Sequence, residues 1–238
     1  MKFKDNYLFF RKLTSDVLQV IFPLFCPACN STLQKTELLI CCKCRHELPV
    51  ITNQQYNFHY IKKNKNINII NVLFKYELNS TVQQLIHNFK YKNPEKLGKT
   101  IANWQTNLIK KELKEQQIDV VIPVPMHFKK LKNRGYNQIN SYAKTLANNL
   151  NAKYLPKVLI KIKETKTQSK QSRNERFKNI HNSIKFNPEI DINNLHILLV
   201  DDVITTGATM EACIESLKLT KGIKISIAAI AIAFTQDL

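Results

Sequence analysis

The chain has 238 residues, 44% of them hydrophobic and 23% charged, and its 36 Lys and Arg against 18 Asp and Glu leave a formal charge of +18. Such a composition excludes wholesale disorder, and the length suits one large domain with a small appendage. The longest nearly unbroken apolar stretch, Ile225 to Phe234, is about half of the roughly 20 residues a helix needs to cross hydrocarbon, so no transmembrane span is expected.

In chain order, residues 1–50 combine an amphipathic stretch (Val17, Val20, Ile21, Leu24) with Cys26, Cys29, Cys41, Cys42 and Cys44, and they read as a small module. Charged residues precede the apolar run and no small-residue cleavage site follows it, so a secretory leader is not expected and a cytoplasmic protein is. Residues 51–68 are polar and rich in Lys and Asn, the composition of a linker or exposed loop. Residues 69–238 form the main domain, whose first strand, Ile67–Tyr76, begins at the end of that linker. Val82, Leu85, Ile86 and Phe89 then recur with helix spacing behind Ser80 or Thr81 as an N-cap, and Leu97, Ile101, Trp104 and Leu108 make a second stripe. A short strand over Asp119–Val124 ends at Pro123 and Pro125, and Ile139, Ala143, Leu146, Ala147 and Leu150 mark the next helix. Val158–Ile162 reads as a strand, and residues 163–182, polar and free of glycine, as a long loop. Ile197–Val200 is a buried strand, Met210–Leu219 a helix packed on Met210, Cys213, Ile214 and Leu217, and Ile225–Ala233 a last buried strand. Strands alternating with helices predict an α/β fold with a parallel sheet.

The sharpest chemical signal is the run from His196 to Thr209. A buried strand delivers Asp201 and Asp202 to its C-terminal edge, where open α/β sheets bind ligands. Thr205, Thr206, Gly207, Ala208 and Thr209 follow, a turn of hydroxyls and one glycine ahead of a helix N-terminus. Free backbone N–H groups, hydroxyl donors and the positive end of the helix dipole suit a phosphate there. The carboxylates suit sugar hydroxyls or a bound Mg²⁺, so the combination reads as a ribose-phosphate site. A helix cap alone needs one or two such residues, and no Gly-Lys-[Ser/Thr] is present for a Walker loop. Glycine is scarce, with only Gly98, Gly135, Gly207 and Gly222, so each marks backbone that a Cβ would obstruct.

The cysteines form two Cys-x-x-Cys pairs, Cys26 with Cys29 and Cys41 with Cys44, separated by eleven residues. Two such knuckles complete a tetrahedral four-sulfur shell with no open position, the pattern of a structural Zn²⁺ site. Cys42 is a spare that can stand in for Cys41 or Cys44, and His46 lies near enough in sequence to serve as an alternative. A thioredoxin-like redox pair is disfavoured because neither pair follows a strand pattern.

The stretch from Ile197 to Thr209, apolar residues then two acids then Thr-Thr-Gly-x-Thr, closely resembles the phosphoribosyl diphosphate (PRPP) motif of type I phosphoribosyltransferases. The remaining segments resemble the ComF branch of that superfamily, including its N-terminal zinc module. The resemblance implies a phosphoribosyltransferase-like parallel-sheet domain in which Asp201 and Asp202 contact the ribose hydroxyls, directly or through Mg²⁺. It also implies that Thr205, Thr206, Gly207, Ala208 and Thr209 hold the 5′-phosphate. Val121 to Gln138 is similar to the family's Pro-x-Pro loop and its Arg-Gly-[Phe/Tyr]-Asn-Gln element, which implies a diphosphate loop at Pro125 with Lys129, Lys130 and Arg134 beside it. Thr165 to Asn179 resembles the family's Thr-x-x-Gln and Glu-Arg-x-x-Asn segment, with Gln168, Arg176 and Asn179 on a loop that closes over PRPP. Arg176 thereby joins Asp201 and Asp202 as a catalytic candidate, its cation offsetting the charge of departing diphosphate. Three roles follow: a transferase using an unidentified acceptor, a competence accessory protein that handles single-stranded DNA with DNA-uptake proteins, or a PRPP-binding regulator without turnover.

Overall fold

A computed structural model describes residues 22–51, 67–127, 131–132, 135–162, 183–218 and 220–233. The chain divides into two compact units, Met1–Leu48 and Pro49–Leu238. In the first, the Cys26 N–H donates to Ser31 O and the Asn30 N–H to Cys26 O, both at 2.8 Å, which folds the chain back at the first cysteine pair. Phe25 and Thr32 close that turn as an antiparallel bridge. The second pair opens the short helix α1 (Cys42–Glu47). Glu37 braces it by accepting from the backbone N–H groups of Gln34 and Cys42. Most of the amphipathic stretch around Val17 lies outside the described residues.

The second unit is built on five parallel strands. In chain order it runs β1 (Ile67–Tyr76), α2 (Thr81–Tyr91), α3 (Pro94–Leu113), β2 (Val120–Pro123), α4 (Ile139–Asn149), β3 (Lys153–Tyr154), β4 (Leu159–Lys161), β5 (Ile184–Phe186), β6 (His196–Ile204), α5 (Ala208–Leu217) and β7 (Lys224–Ala233). The sheet order is β1-β7-β6-β2-β3, every neighbouring pair parallel. Such a sheet needs apolar cover on both faces. Ile197, Leu199, Ile225, Ile227 and their counterparts on β1 and β2 share a core with α5, β4 and β5. The intervening residues face α2, α3 and α4, which pack on β1, β2, β3 and β6.

Local chemistry sets the element ends. Ser80 caps α2 by accepting from the Gln83 N–H at 3.2 Å, and Pro94 stands at the first turn of α3 where its missing N–H costs nothing. α3 and α4 approach closely at Gly98, where a Cβ would lie 2.9 Å from Tyr142 N.

Four expectations are corrected. The buried stripe of α3 is Leu97, Ile101, Gln105 and Ile109, with Trp104 and Leu108 only half-buried beside it. Gln105 occupies a core position because its Nε2 donates to Asn71 O, Asn71 Oδ1 and Ala229 O, and its Oε1 accepts from Tyr142 OH. The strand at Val158–Ile162 leaves the parallel sheet and instead pairs antiparallel with Ile184–Phe186. β6 extends past Val200 through both aspartates to Ile204, and α5 spans Ala208–Leu217 in place of Met210–Leu219. The Lys/Asn-rich residues 52–66 and the polar loop 163–182 lie outside the described residues.

Candidate ligand cleft and cysteine cluster

Parallel strands present their C-terminal ends together, and β2 and β6 do so around a cleft of about 390 Å³. Asp201, Asp202, Thr205 and Thr209 line it, together with Pro125 from the loop after β2. The Val124 N–H donates to Val200 O at 2.8 Å, so that loop leaves the sheet beside the two acids.

Because successive strand residues face opposite sides, Asp201 and Asp202 straddle the sheet. Asp201 continues the Ile197–Leu199 face, toward α5 and β4. Asp202 turns toward α2 and α4: its Oδ2 lies 3.2 Å from Lys90 Nζ and accepts from Gln138 Nε2 at 3.1 Å. Burial, and then the neighbouring Asp202 charge, push the Asp201 carboxyl up to about 7, opposed by the Asp202 N–H at 2.8 Å and by Lys90 and Lys161. One acid is thus poised to ionise near neutrality and the other is already held by a cation.

The turn behind them is shaped by Gly207, whose φ of 77° and ψ of −9° place it in the left-handed region at the N-cap of α5. Thr206 Oγ1 accepts from the Ala208 N–H at 3.5 Å, and Ala208 is buried as the first helical residue. Thr205 and Thr209 flank that base and face the cleft, so hydroxyls and a helix N-terminus converge where an anion fits.

Lys90, Lys161, Asn137 and Gln138 also line the cleft and were not singled out as site residues in the sequence. Asn137 and Gln138 stand inside the Arg-Gly-Tyr-Asn-Gln element, which is a signal. Asn137 Oδ1 accepts from the Ile139 N–H at 3.3 Å at the start of α4, leaving the Gln138 side chain for Asp202. Lys90 and Lys161 gave no signal in so Lys-rich a chain. The expected Lys129, Lys130 and Arg134, and likewise Gln168, Arg176 and Asn179, lie outside the described residues.

In the N-terminal unit, the sulfurs of Cys26, Cys29, Cys41 and Cys44 all lie within 4.8 Å of one another. Cys42, the spare cysteine, is exposed and outside the cluster. Cys29 Sγ and Cys41 Sγ are 3.6 Å apart, close to the edge of about 3.8 Å that a tetrahedral ion with sulfur bonds of about 2.3 Å imposes. The Cys41 N–H points at Cys26 Sγ at 3.5 Å and the Cys44 N–H at Cys41 Sγ at 3.4 Å, both suited to anionic sulfur. The Ser31 hydroxyl and backbone N–H draw Cys29 down to about 6, whereas burial pushes Cys41 and Cys44 up. Four thiolates this close repel one another, and a divalent cation at their centre relieves that repulsion.

The family described as Phosphoribosyl transferase domain matches residues 90–236. Competence protein F of Haemophilus influenzae is 30% identical over 53% of this chain and 57% of its own length. DNA utilization protein YhgH of Salmonella typhimurium is 28% identical over 58% of this chain and 61% of its own. The chain therefore spans less than two thirds of these relatives, and both agree with the resemblance to ComF. Adenine phosphoribosyltransferase from Saccharomyces cerevisiae aligns over 58% of this chain and 70% of its own, at 14% identity and a TM-score of 0.38. Among the described residues, no helix is long and apolar enough to cross a membrane.

Proposed function

This chain belongs to the phosphoribosyl transferase domain family, and from that premise we propose that its cleft binds PRPP and transfers the phosphoribosyl group to an acceptor. The observation that carries the reading is the meeting of Asp201, Asp202, Thr205 and Thr209 in one cleft at the strand ends. In this reading the Thr205–Thr209 turn takes the 5′-phosphate on hydroxyls and backbone N–H groups, and the two carboxylates take the ribose hydroxyls. As the anomeric carbon gains positive character, those carboxylates stabilise it, while Lys161 lends positive charge to the cleft. The donor set of two carboxylates also fits Mg²⁺, a hard cation with oxygen preference that neutralises diphosphate charge when bound. Arg176, Lys129, Lys130 and Arg134 are proposed to meet the diphosphate, and Gln168 and Asn179 to belong to the closing loop. Calorimetry with PRPP and Mg²⁺, followed by diphosphate release with candidate acceptors, tests the reading. A flat titration, or equal binding by Asp202→Asn, refutes it.

The four clustered sulfurs support a structural Zn²⁺ held by Cys26, Cys29, Cys41 and Cys44, a closed shell that stabilises the N-terminal unit rather than reacting. A second functional reading comes from the relatives named for competence and DNA utilization, together with the charge of +18. In it the protein binds single-stranded DNA as an accessory to uptake, and the affinity falls steeply with salt as counterions are released. Binding that is indifferent to salt, or none at low salt, removes it.

A further inference from the structure

Two donors share one carboxylate oxygen in the cleft. Asp202 Oδ2 accepts from Gln138 Nε2 at 3.1 Å and lies 3.2 Å from Lys90 Nζ. The donors differ in kind. Gln138 is neutral and buried, and it stands at the N-cap of α4, so its amide has little room to move. Lys90 is charged, stands in the last turn of α2 and reaches Asp202 on a four-carbon stem, with 26% of its side chain exposed. Val82, Leu85 and Phe89 bury α2 at its base, so the helix is fixed while the lysine stem is free to turn.

Lys90 also has space on two sides. It lines the cleft of about 390 Å³ together with Pro125, Met126 and His127 of the loop after β2, and it borders a neighbouring cavity of about 310 Å³ beside His87 and Tyr91. Rotation about its stem therefore moves the ammonium off Asp202 without moving the backbone. In the empty cleft it has reason to stay: two acids stand side by side, and Lys90 is one of the two lysines whose charge offsets them. An oxygen that already receives an ammonium and an amide has both lone pairs engaged, so a ribose hydroxyl can use Oδ2 only once one donor leaves. Of the two, the mobile cation is the one that an entering polyanion attracts.

We propose that Lys90 is a counter-ion that changes partners and thereby sets the specificity of the cleft. It neutralises Asp202 while the cleft is empty. When a sugar diphosphate enters, Lys90 gives up Oδ2 to the ribose hydroxyls or their divalent cation and turns to the diphosphate oxygens, while Gln138 remains as the positioning residue that keeps Asp202 aimed. The inference rests on reading the cleft as the PRPP site. Ribose 5-phosphate has the same pentose and the same 5′-phosphate but no diphosphate to attract the ammonium, so it must compete with Lys90 for Asp202. The exchange therefore favours the substrate over a phosphorylated pentose that has lost its leaving group.

The test titrates the full chain with PRPP and, separately, with ribose 5-phosphate, both with Mg²⁺. The parent is expected to bind PRPP the more tightly. Lys90→Met keeps the stem and removes the charge, and its two shifts should have opposite signs. Ribose 5-phosphate should bind about two- to fivefold more tightly, the worth of a half-exposed ion pair that no longer competes. PRPP should bind about threefold or more weakly, because a charge-assisted phosphate contact outweighs that gain. Lys90→Gln, a second neutral variant, should give the same pair of shifts, and Lys90→Arg should restore the parent's preference for PRPP. Gln138→Leu should instead weaken both ligands by a similar factor of about fivefold, as loss of a positioning hydrogen bond does. The inference is overturned if the neutral variants shift both ligands in the same direction, or shift neither. A parent that binds neither ligand removes the PRPP reading and the exchange with it, whereas a parent that binds both while the variants shift together overturns the exchange alone.

Discussion

Asp201→Asn is expected to stabilise the ligand-free protein at pH 8 while weakening its hold on PRPP. Burial and the charge of Asp202 lift the Asp201 carboxyl from 3.8 to about 7. The unfolded chain therefore ionises this residue above about pH 4, whereas the folded chain keeps the proton to about pH 7. Across that window the unfolded state binds fewer protons, so stability falls as pH rises, and above about pH 7 the deficit is constant. About 3 pH units at 1.36 kcal/mol each give about 4 kcal/mol. Partial solvent access at the cleft screens this, and about 2 kcal/mol is the expected gain for Asn at pH 8. For a chain of this size that raises the melting temperature by about 4–8 °C. Trp104, the single Trp of the chain, lies on α3, so its fluorescence follows unfolding of the sheet unit. At pH 4.5 most of the difference should vanish, because that pH is only about 0.7 units above the 3.8 at which the unfolded Asp201 ionises, against about 3 units of full deficit at pH 8. A variant less stable than the parent at pH 8, or a gap of equal size at both pH values, refutes the assignment of strain to this carboxylate.

Three further outcomes are expected. Metal analysis should find about one Zn²⁺ per chain, the number one four-sulfur shell holds; it should be lost in Cys26→Ser and Cys44→Ser and kept in Cys42→Ser. Gly98→Ala pushes a Cβ to 2.9 Å from Tyr142 N, and denaturant unfolding should show a loss of about 1–3 kcal/mol from overpacking α3 against α4. A double-mutant cycle with Lys90→Met and Asp202→Asn should give a coupling of no more than about 1 kcal/mol, because both side chains keep some solvent access; a coupling several times larger contradicts the half-open cleft.

The parts that were legible in the sequence are those whose chemistry is local. The strand, acid pair, hydroxyl turn and helix from His196 to Leu217 are consecutive, so pattern and position coincide, and the Cys-x-x-Cys pairs fold on themselves. Lys90 was illegible because its role depends on how α2 lies beside β6, which no neighbouring residue announces. Gln105 was read past because a polar side chain at a core position makes sense only once Asn71, Tyr142 and the Ala229 carbonyl surround it. Trp104 is the converse case, an apolar residue whose helix spacing fits the stripe but whose place in the core Gln105 fills. β5 is three residues long and borders a polar run, too little for periodicity to register, and without it β4 looked like another member of the parallel sheet. The acids themselves were placed beyond the strand, since charge in an apolar run reads as its end.

In the sheet order β1-β7-β6-β2-β3, the earliest strand takes its partner strand from the latest, while its other edge pairs with residues 49–51 just before it. On a ribosome, β1 leaves the tunnel well before Lys224–Ala233 exists, and in the interval the ladder edge that faces β7 has no native mate. Nascent chains must therefore hold that segment out of misplaced pairings until synthesis of the mate is complete, and closure of the sheet becomes a late, slow step. A polypeptide interrupted before Lys224 keeps every residue of the hydroxyl turn yet leaves β1 without a seat, so premature termination near the end is as damaging to this architecture as loss of its beginning.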